Sequence, residues 1–160
     1  TFILNSIQKI NNPKIHFLFI GDGAEKNNLV EFSKSLKVKN FTFLNSMPKQ
    51  DVLNYISISD YSLVNLKKSD EFLNVIPSKI FENIGLYKPI LLGVEGEAKQ
   101  LIEDYDVGVS FEPENTESFI NAIDNIQKID FHKFKKNCKK MVQDFDRDMI
   151  AEKMINFINE

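Results

Sequence analysis

Apolar and polar positions along the chain switch repeatedly between two patterns. "KIHFLFIGDG" (14–23) is a short continuous apolar run closed by Gly-Asp-Gly, the mark of a buried strand and its turn. Over 24–36 the apolar residues Leu29, Val30, Phe32 and Leu36 fall on one helical stripe. "FTFL" (41–44) predicts a second strand, and 47–59, opened by Pro48 and carrying Val52, Leu53 and Ile56, a helix. "YSLVNL" (61–66), "PILLGV" (89–94) and "VGVSF" (107–111) read as three further strands, with a helix at 96–105 between the last two. A polar loop (67–74) precedes a helix opened by Pro77, and a stripe of Phe2, Ile3, Ile7 and Ile10 predicts a helix at the start. After Pro113 come helical segments near 116–128, 131–143 and 147–158.

Short apolar strands alternating with helices of about ten residues define an α/β fold. The expected architecture is a Rossmann-like parallel sheet with helices on both faces and extra helices over 130–160. Ligands of such sheets bind beyond the carboxyl ends of the strands. That directs attention to the loops at 21–25, 45–48, 67–78 and 94–98.

The 160 residues correspond to about one domain, and 14 Phe supply a full-sized core. A net charge of −3, from 20 basic and 23 acidic residues, argues against a general nucleic-acid binder. A lone cysteine, Cys138, excludes an internal disulfide framework and implies a reducing compartment. No apolar run approaches the roughly 18 residues that span a membrane. Because the sequence opens inside a helical pattern, it reads as a fragment of something larger.

"NVIPSKIFENIGLYKPIL" (74–91) is the most informative of those loop-to-helix junctions. Pro77 suits a first helical position, yet the residue before it, Ile76, is a poor cap. Lys79 then lies at the wrong end of the helix dipole for a cation. Free N–H groups and about half a positive charge at such a start attract an anion, commonly phosphate. A diphosphate would cap the helix and turn Lys79 into a charge-assisted partner. Ser78 and Glu82 share a helix face opposite Ile80, Phe81 and Ile84. A carboxylate one turn above a phosphate suits a neutral diol such as ribose. The plainer alternative is a water-capped helix with Lys79 and Glu82 as a surface pair.

The turn Gly21-Asp22-Gly23 permits close backbone approach after a strand. It is not the full dinucleotide fingerprint, since position 26 is Lys where that fingerprint has Gly. "NSMP" (45–48) alone says only that a helix begins there.

Together these pieces resemble the C-terminal, donor-binding half of GT-B glycosyltransferases of family GT4, from about Phe2 to Phe157. The resemblance is carried by "FIGDGAEKNNL" (19–29), "FLNSMPKQDVLNYISISDYSLVNL" (43–66), "VIPSKIFENIGLYKPIL" (75–91), "GEAKQLIEDYDVGVSFEP" (96–113) and "FDRDMIAEKMINFI" (145–158). The Pro-Ser-Lys-x-Phe-Glu form is similar to a bacterial subgroup of aminosugar and fucosamine transferases of O-antigen and capsule synthesis. The resemblance implies one nucleotide-sugar-binding domain over 1–160, with the family's first strand and the N-terminal acceptor domain lying outside it. It implies that Val75, Ile76 and Ser78 bind the donor diphosphate through backbone amides, with Lys79 beside them. Glu82 would hold the ribose hydroxyls, Gly21 and Gly23 would border phosphates and sugar, and Ser46 and Met47 would approach the base. The loop at Glu97 would lie near the same cleft. The donor is expected to be UDP-linked, the transfer retaining and metal-independent, with no cofactor. The implied site of action is cytoplasmic, extending to the inner face of the cell membrane and a lipid-linked acceptor.

One departure bears on catalysis. Glu82 corresponds to the second glutamate of the family's Glu-x7-Glu motif; where the family has the first, tied to the donor sugar, eight positions earlier, the residue here is Asn74. Asn74 can hydrogen-bond a sugar but carries no charge, and Asp70 and Glu71 have the wrong spacing. Asn74 and Lys79 are therefore the catalytic candidates, and this chain alone is expected to bind donor without turnover. Two other readings stay open: a sugar-nucleotide epimerase of GT-B fold, and a non-catalytic α/β interaction domain. His16 reads as a strand-end or core histidine, His132 as part of a solvated lysine-rich face that could instead touch anionic lipid, and Cys138 as an unreactive thiol. Two histidines and one cysteine far apart make no metal ligand set.

Overall fold

The computed structural model describes residues 1–10 and 12–159, so the last residue of the expected 1–160 domain lies outside them. The strands are β1 (Phe17–Ile20), β2 (Phe41–Leu44), β3 (Ser62–Asn65), β4 (Ile90–Gly93) and β5 (Gly108–Ser110). The helices are α1 (Phe2–Ile7), α2 (Lys26–Lys34), α3 (Lys49–Ile58), α4 (Lys79–Gly85), α5 (Glu97–Tyr105), α6 (Thr116–Ile126), α7 (Phe131–Asp144) and α8 (Arg147–Asn159). A 3-10 turn, Asp70–Phe72, lies within the polar loop. The α/β class and the element order are those the apolar pattern predicts.

All strand pairs are parallel, but the described strands form two hydrogen-bonded sets, β1–β2 and β3–β4–β5, rather than one sheet. The Phe17 and Gly21 amides donate to Asn40 and Leu44 carbonyls, and the Ser62 and Leu66 amides to Pro89 and Gly93 carbonyls. Backbone groups in a parallel strand alternate sides, so Leu18 and Ile20 of β1, and Leu63 and Asn65 of β3, turn theirs away from these neighbours. Both sets share one core nevertheless. Phe17 of β1 and Leu63 of β3 pack against the same cluster of Leu91, Phe111, Phe119, Ala122, Ile123 and Ile126.

β4 is buried on both faces. Its Leu91 faces that cluster, beneath α1 and α6, while Ile90 and Leu92 face a second core with Ile80 and Ile84 of α4, Ile102 of α5 and Phe134, Cys138 and Met141 of α7. This double burial is why the strand reads as a continuous apolar run. Phe119 is fully buried, in edge-on contact with Phe111 at 5.0 Å and Phe2 at 6.1 Å. The stripe of α3 (Val52, Leu53, Ile56) joins none of the apolar clusters formed by the described residues.

Two local expectations need correction. Pro77 is not the first helical residue: α4 starts at Lys79, because the Pro77 carbonyl accepts from the Ile80 amide in a tighter turn. Phe81 does not join Ile80 and Ile84 in the core; it is 36% exposed and leans on Phe145 at 5.2 Å.

Candidate functional site

Each of the four nominated loops follows the carboxyl end of a strand, β1 to β4 in turn. α4 is fixed there by a residue that sequence reasoning passed over. Asn83 is buried; its Oδ1 accepts from the Ser62 hydroxyl on β3 and its Nδ2 donates to the Lys79 carbonyl at 2.7 Å. A buried polar side chain with both ends satisfied pins the helix to the strand. The sequence signal for it was a polar residue between Ile80 and Ile84 on the apolar face.

The start of α4 has no side-chain cap: Ser78 occupies the cap position without a capping hydrogen bond. Among the described residues, the amides of Ile76, Ser78 and Lys79 donate to no protein acceptor. The Val75 amide differs from expectation, since it donates to the Phe72 carbonyl at 3.2 Å and is not free. The Lys79 ammonium, exposed, makes no ion pair among the described residues. Glu82 does not pair with Lys79 on its own helix. Its Oε1 meets Lys49 of α3 at 2.9 Å, which brings the loop of Ser46 and Met47 against α4.

Three contacts join the predicted residues into a continuous edge. Lys26 reaches from the start of α2 to the Gly21 carbonyl (2.8 Å) and to Asn45 Oδ1 (2.8 Å), linking the glycine turn to the loop holding Ser46 and Met47. The Lys49–Glu82 pair links that loop to α4. The Glu97 amide donates to the Leu73 carbonyl at 2.8 Å, setting the Gly96–Glu97 loop against Asn74 and Val75. Gly96 is required there. Its φ is +70°, and a Cβ would stand 2.0 Å from the Leu73 carbonyl oxygen. At Gly21, whose φ is +146°, and at Gly23 a Cβ would meet nothing within 4 Å, so the space beside the turn is open.

Other candidates fall elsewhere. Asp70 and Glu71 lie in the 3-10 turn, where Ser69 caps the Glu71 amide. His16 precedes β1, at the opposite end of that strand from the glycine turn, and bonds the Thr42 hydroxyl at 2.9 Å. His132 is exposed in the first turn of α7. Cys138 is fully buried, and burial pushes its thiol up to about 12. Among the described residues no group of three or more His, Cys, Asp or Glu is placed to hold a metal ion, and no helix is long and apolar enough to cross a membrane. Among the described residues, concavities of about 340 and 360 Å³ lie at α7–α8 and beside α6, and neither includes a predicted site residue. The site is an open edge, and the connectivity of its loops is a better guide to it than cavity volume.

In a parallel α/β domain, ligands bind where loops converge beyond the carboxyl ends of the strands. The chain belongs to the glycosyl transferases group 1 family, whose model matches residues 2–145. It is 28% identical over 130 residues to the probable glycosyltransferase WbjE of Pseudomonas aeruginosa, covering 80% of this chain and 32% of that protein. A glycosyltransferase from Rickettsia africae ESF-5 shares the fold, with a TM-score of 0.73 at 19% identity over 98% of this chain and 42% of the other. WaaG, a glycosyltransferase involved in lipopolysaccharide biosynthesis, gives a TM-score of 0.67 at 13% identity, over 91% and 39% of the two chains. The fold is thus that of the C-terminal half of GT-B glycosyltransferases, and the chain spans about a third of the curated relative it matches.

Proposed function

We propose that this chain is the donor half of a retaining, metal-independent glycosyltransferase acting in bacterial surface-polysaccharide synthesis, with a UDP-linked sugar as donor. Family membership supports the reaction class, and the likeness to WaaG, which is named for lipopolysaccharide biosynthesis, motivates the pathway. The observation that carries the reading is the start of α4: amides at Ile76, Ser78 and Lys79 and a Lys79 ammonium that have no partner among the described residues, with Glu82 one turn above. The amides and Lys79 would take the diphosphate, and Glu82 the ribose diol. Charge developing on a departing diphosphate is what such preorganised donors stabilise. Gly21, Gly23, Ser46, Met47 and Glu97 would line the remainder, with Val75 contributing shape rather than its amide. Asn74 would address the donor sugar as a neutral hydrogen-bonding group.

The parent protein would add an acceptor domain and a further strand. The outward-turned backbone groups of Leu18, Ile20, Leu63 and Asn65 support a strand between β1 and β3. The lysines of α7 support contact with an anionic membrane face carrying the acceptor.

The test is calorimetric titration of UDP, GDP and ADP into this chain and into a version extended at its N-terminus. UDP should bind, and Glu82→Ala should weaken it by about 1–2 kcal/mol, the lower part of the range for a lost charged hydrogen bond, since the group is partly exposed. Lys79→Ala should weaken UDP more than uridine. Unchanged affinity in Glu82→Ala would remove the ribose assignment, and equal losses for UDP and uridine would remove the phosphate role of Lys79.

A further inference from the structure

We infer that Lys26 is a positioning residue of the donor site, a strap that holds the loop of Ser46 and Met47 against the glycine turn; the inference rests on the donor-site reading above. Position 26 is where the chain departs from the dinucleotide fingerprint, and the structure gives that departure a purpose. A lysine in the first turn of α2 is at the unfavourable end of the dipole. Its charge is used elsewhere. An ammonium has three N–H donors and no acceptor. Three oxygens surround this one: the Gly21 carbonyl at 2.8 Å, Asn45 Oδ1 at 2.8 Å and the Leu44 carbonyl, more weakly, at 3.4 Å. These contacts turn the ammonium toward the ends of the two strands.

The three oxygens belong to the ends of β1 and β2, just where their ladder stops. The last rung is the Gly21 amide to the Leu44 carbonyl, at 3.3 Å. Beyond it the two loops diverge, and the half-buried Lys26 is the cross-link that keeps them together. Asn45 is the residue immediately before Ser46 and Met47, so the strap fixes the start of that loop. Lys49, through Glu82, fixes its end. The loop is held at its start by Lys26 of α2 and at its end by its own Lys49 reaching Glu82 of α4, and its conformation decides the base end of the site. The phosphate end, at α4, is built without Lys26.

This division predicts how the variant fails. Lys26→Met keeps most of the apolar stem and removes the ammonium with its three bonds. It should weaken the preferred nucleoside diphosphate and the matching free nucleoside by the same factor, about threefold to tenfold, on the scale of one partly screened charge-assisted hydrogen bond. Asn45→Ala should give a similar loss, and the double variant little more than either alone. The experiment is calorimetry on the full-length parent, with UDP, GDP and ADP and their nucleosides as probes. It is paired with amide hydrogen exchange on the ligand-free protein. Exchange at Ser46 and Met47 should quicken in Lys26→Met, with the β3–β4–β5 amides unchanged. A loss confined to the diphosphate would make Lys26 a phosphate ligand and overturn the strap. Unaltered exchange at Ser46 and Met47 would overturn it whatever the nucleotides do. If the wild type binds no nucleotide while exchange responds as predicted, the donor-site reading fails and the strap stands as a structural device.

Discussion

Replacing Gly96 by alanine tests how the edge is held together. The substitution adds one methyl group. At φ +70° and ψ −139° the backbone is in a region that non-glycine residues hold at a cost of about 1–3 kcal/mol. The new Cβ would also lie 2.0 Å from the Leu73 oxygen and 2.6 Å from its carbonyl carbon. The obstacle is backbone, so the two loops must part by about 1 Å or more. Parting them breaks the 2.8 Å bond from the Glu97 amide to Leu73, worth about 0.5–1.5 kcal/mol. The sum is about 2–4 kcal/mol of lost stability, read as a lower urea midpoint at unchanged slope. Leu73 precedes Asn74 and Val75, so donor affinity should fall too. Gly85→Ala is the control: no atom lies within 4 Å of its Cβ and it sits in helix α4, so alanine there should be neutral or gain up to about 1 kcal/mol. A Gly96→Ala protein within about 1 kcal/mol of wild type, with donor binding intact, would show that the loops are not held by this contact.

Phe119→Ala should cost about 3–5 kcal/mol in urea unfolding, since the ring is fully buried between both strand sets and touches Phe2, Phe17 and Phe111. Asn83→Ala should cost about 1–3 kcal/mol by leaving the buried Ser62 hydroxyl without its acceptor, and the Ser62→Ala/Asn83→Ala cycle should be strongly non-additive. Cys138 should resist iodoacetamide at pH 8.5 in the folded protein and react in urea. Its thiol titrates near 12 when folded against 9.0 for the free group, so between those values the unfolded chain releases a proton the folded one keeps. Stability should therefore fall as pH rises from 9 toward 12, and less steeply in Cys138→Ala.

What could be read in the sequence was whatever depends on neighbours in the chain. β4 announces itself because burial on both faces demands an unbroken apolar run, and α4 because Ile80 and Ile84 repeat at helical spacing. The missing cap was visible too, since a cap is one side chain at one position. Phe81 misled because helical periodicity fixes a direction and not a neighbour: it points toward α7, whose end leaves the ring half covered by Phe145. Val75 misled because a loop amide looks free until the 3-10 turn before it folds back and offers the Phe72 carbonyl. The cross-links of the site were the least legible. Lys49 and Glu82 are 33 positions apart, and Lys26 and Asn45 are 19, spacings set by the length of an intervening strand and helix rather than by any local period. Lys26 even counted against the glycine turn, because a fingerprint scores it as a missing glycine. Its meaning depends on where β2 ends relative to β1, which is a fact of register: Ile20 lies beside Leu44, so the next residue on each strand, Gly21 and Asn45, arrives within reach of one ammonium.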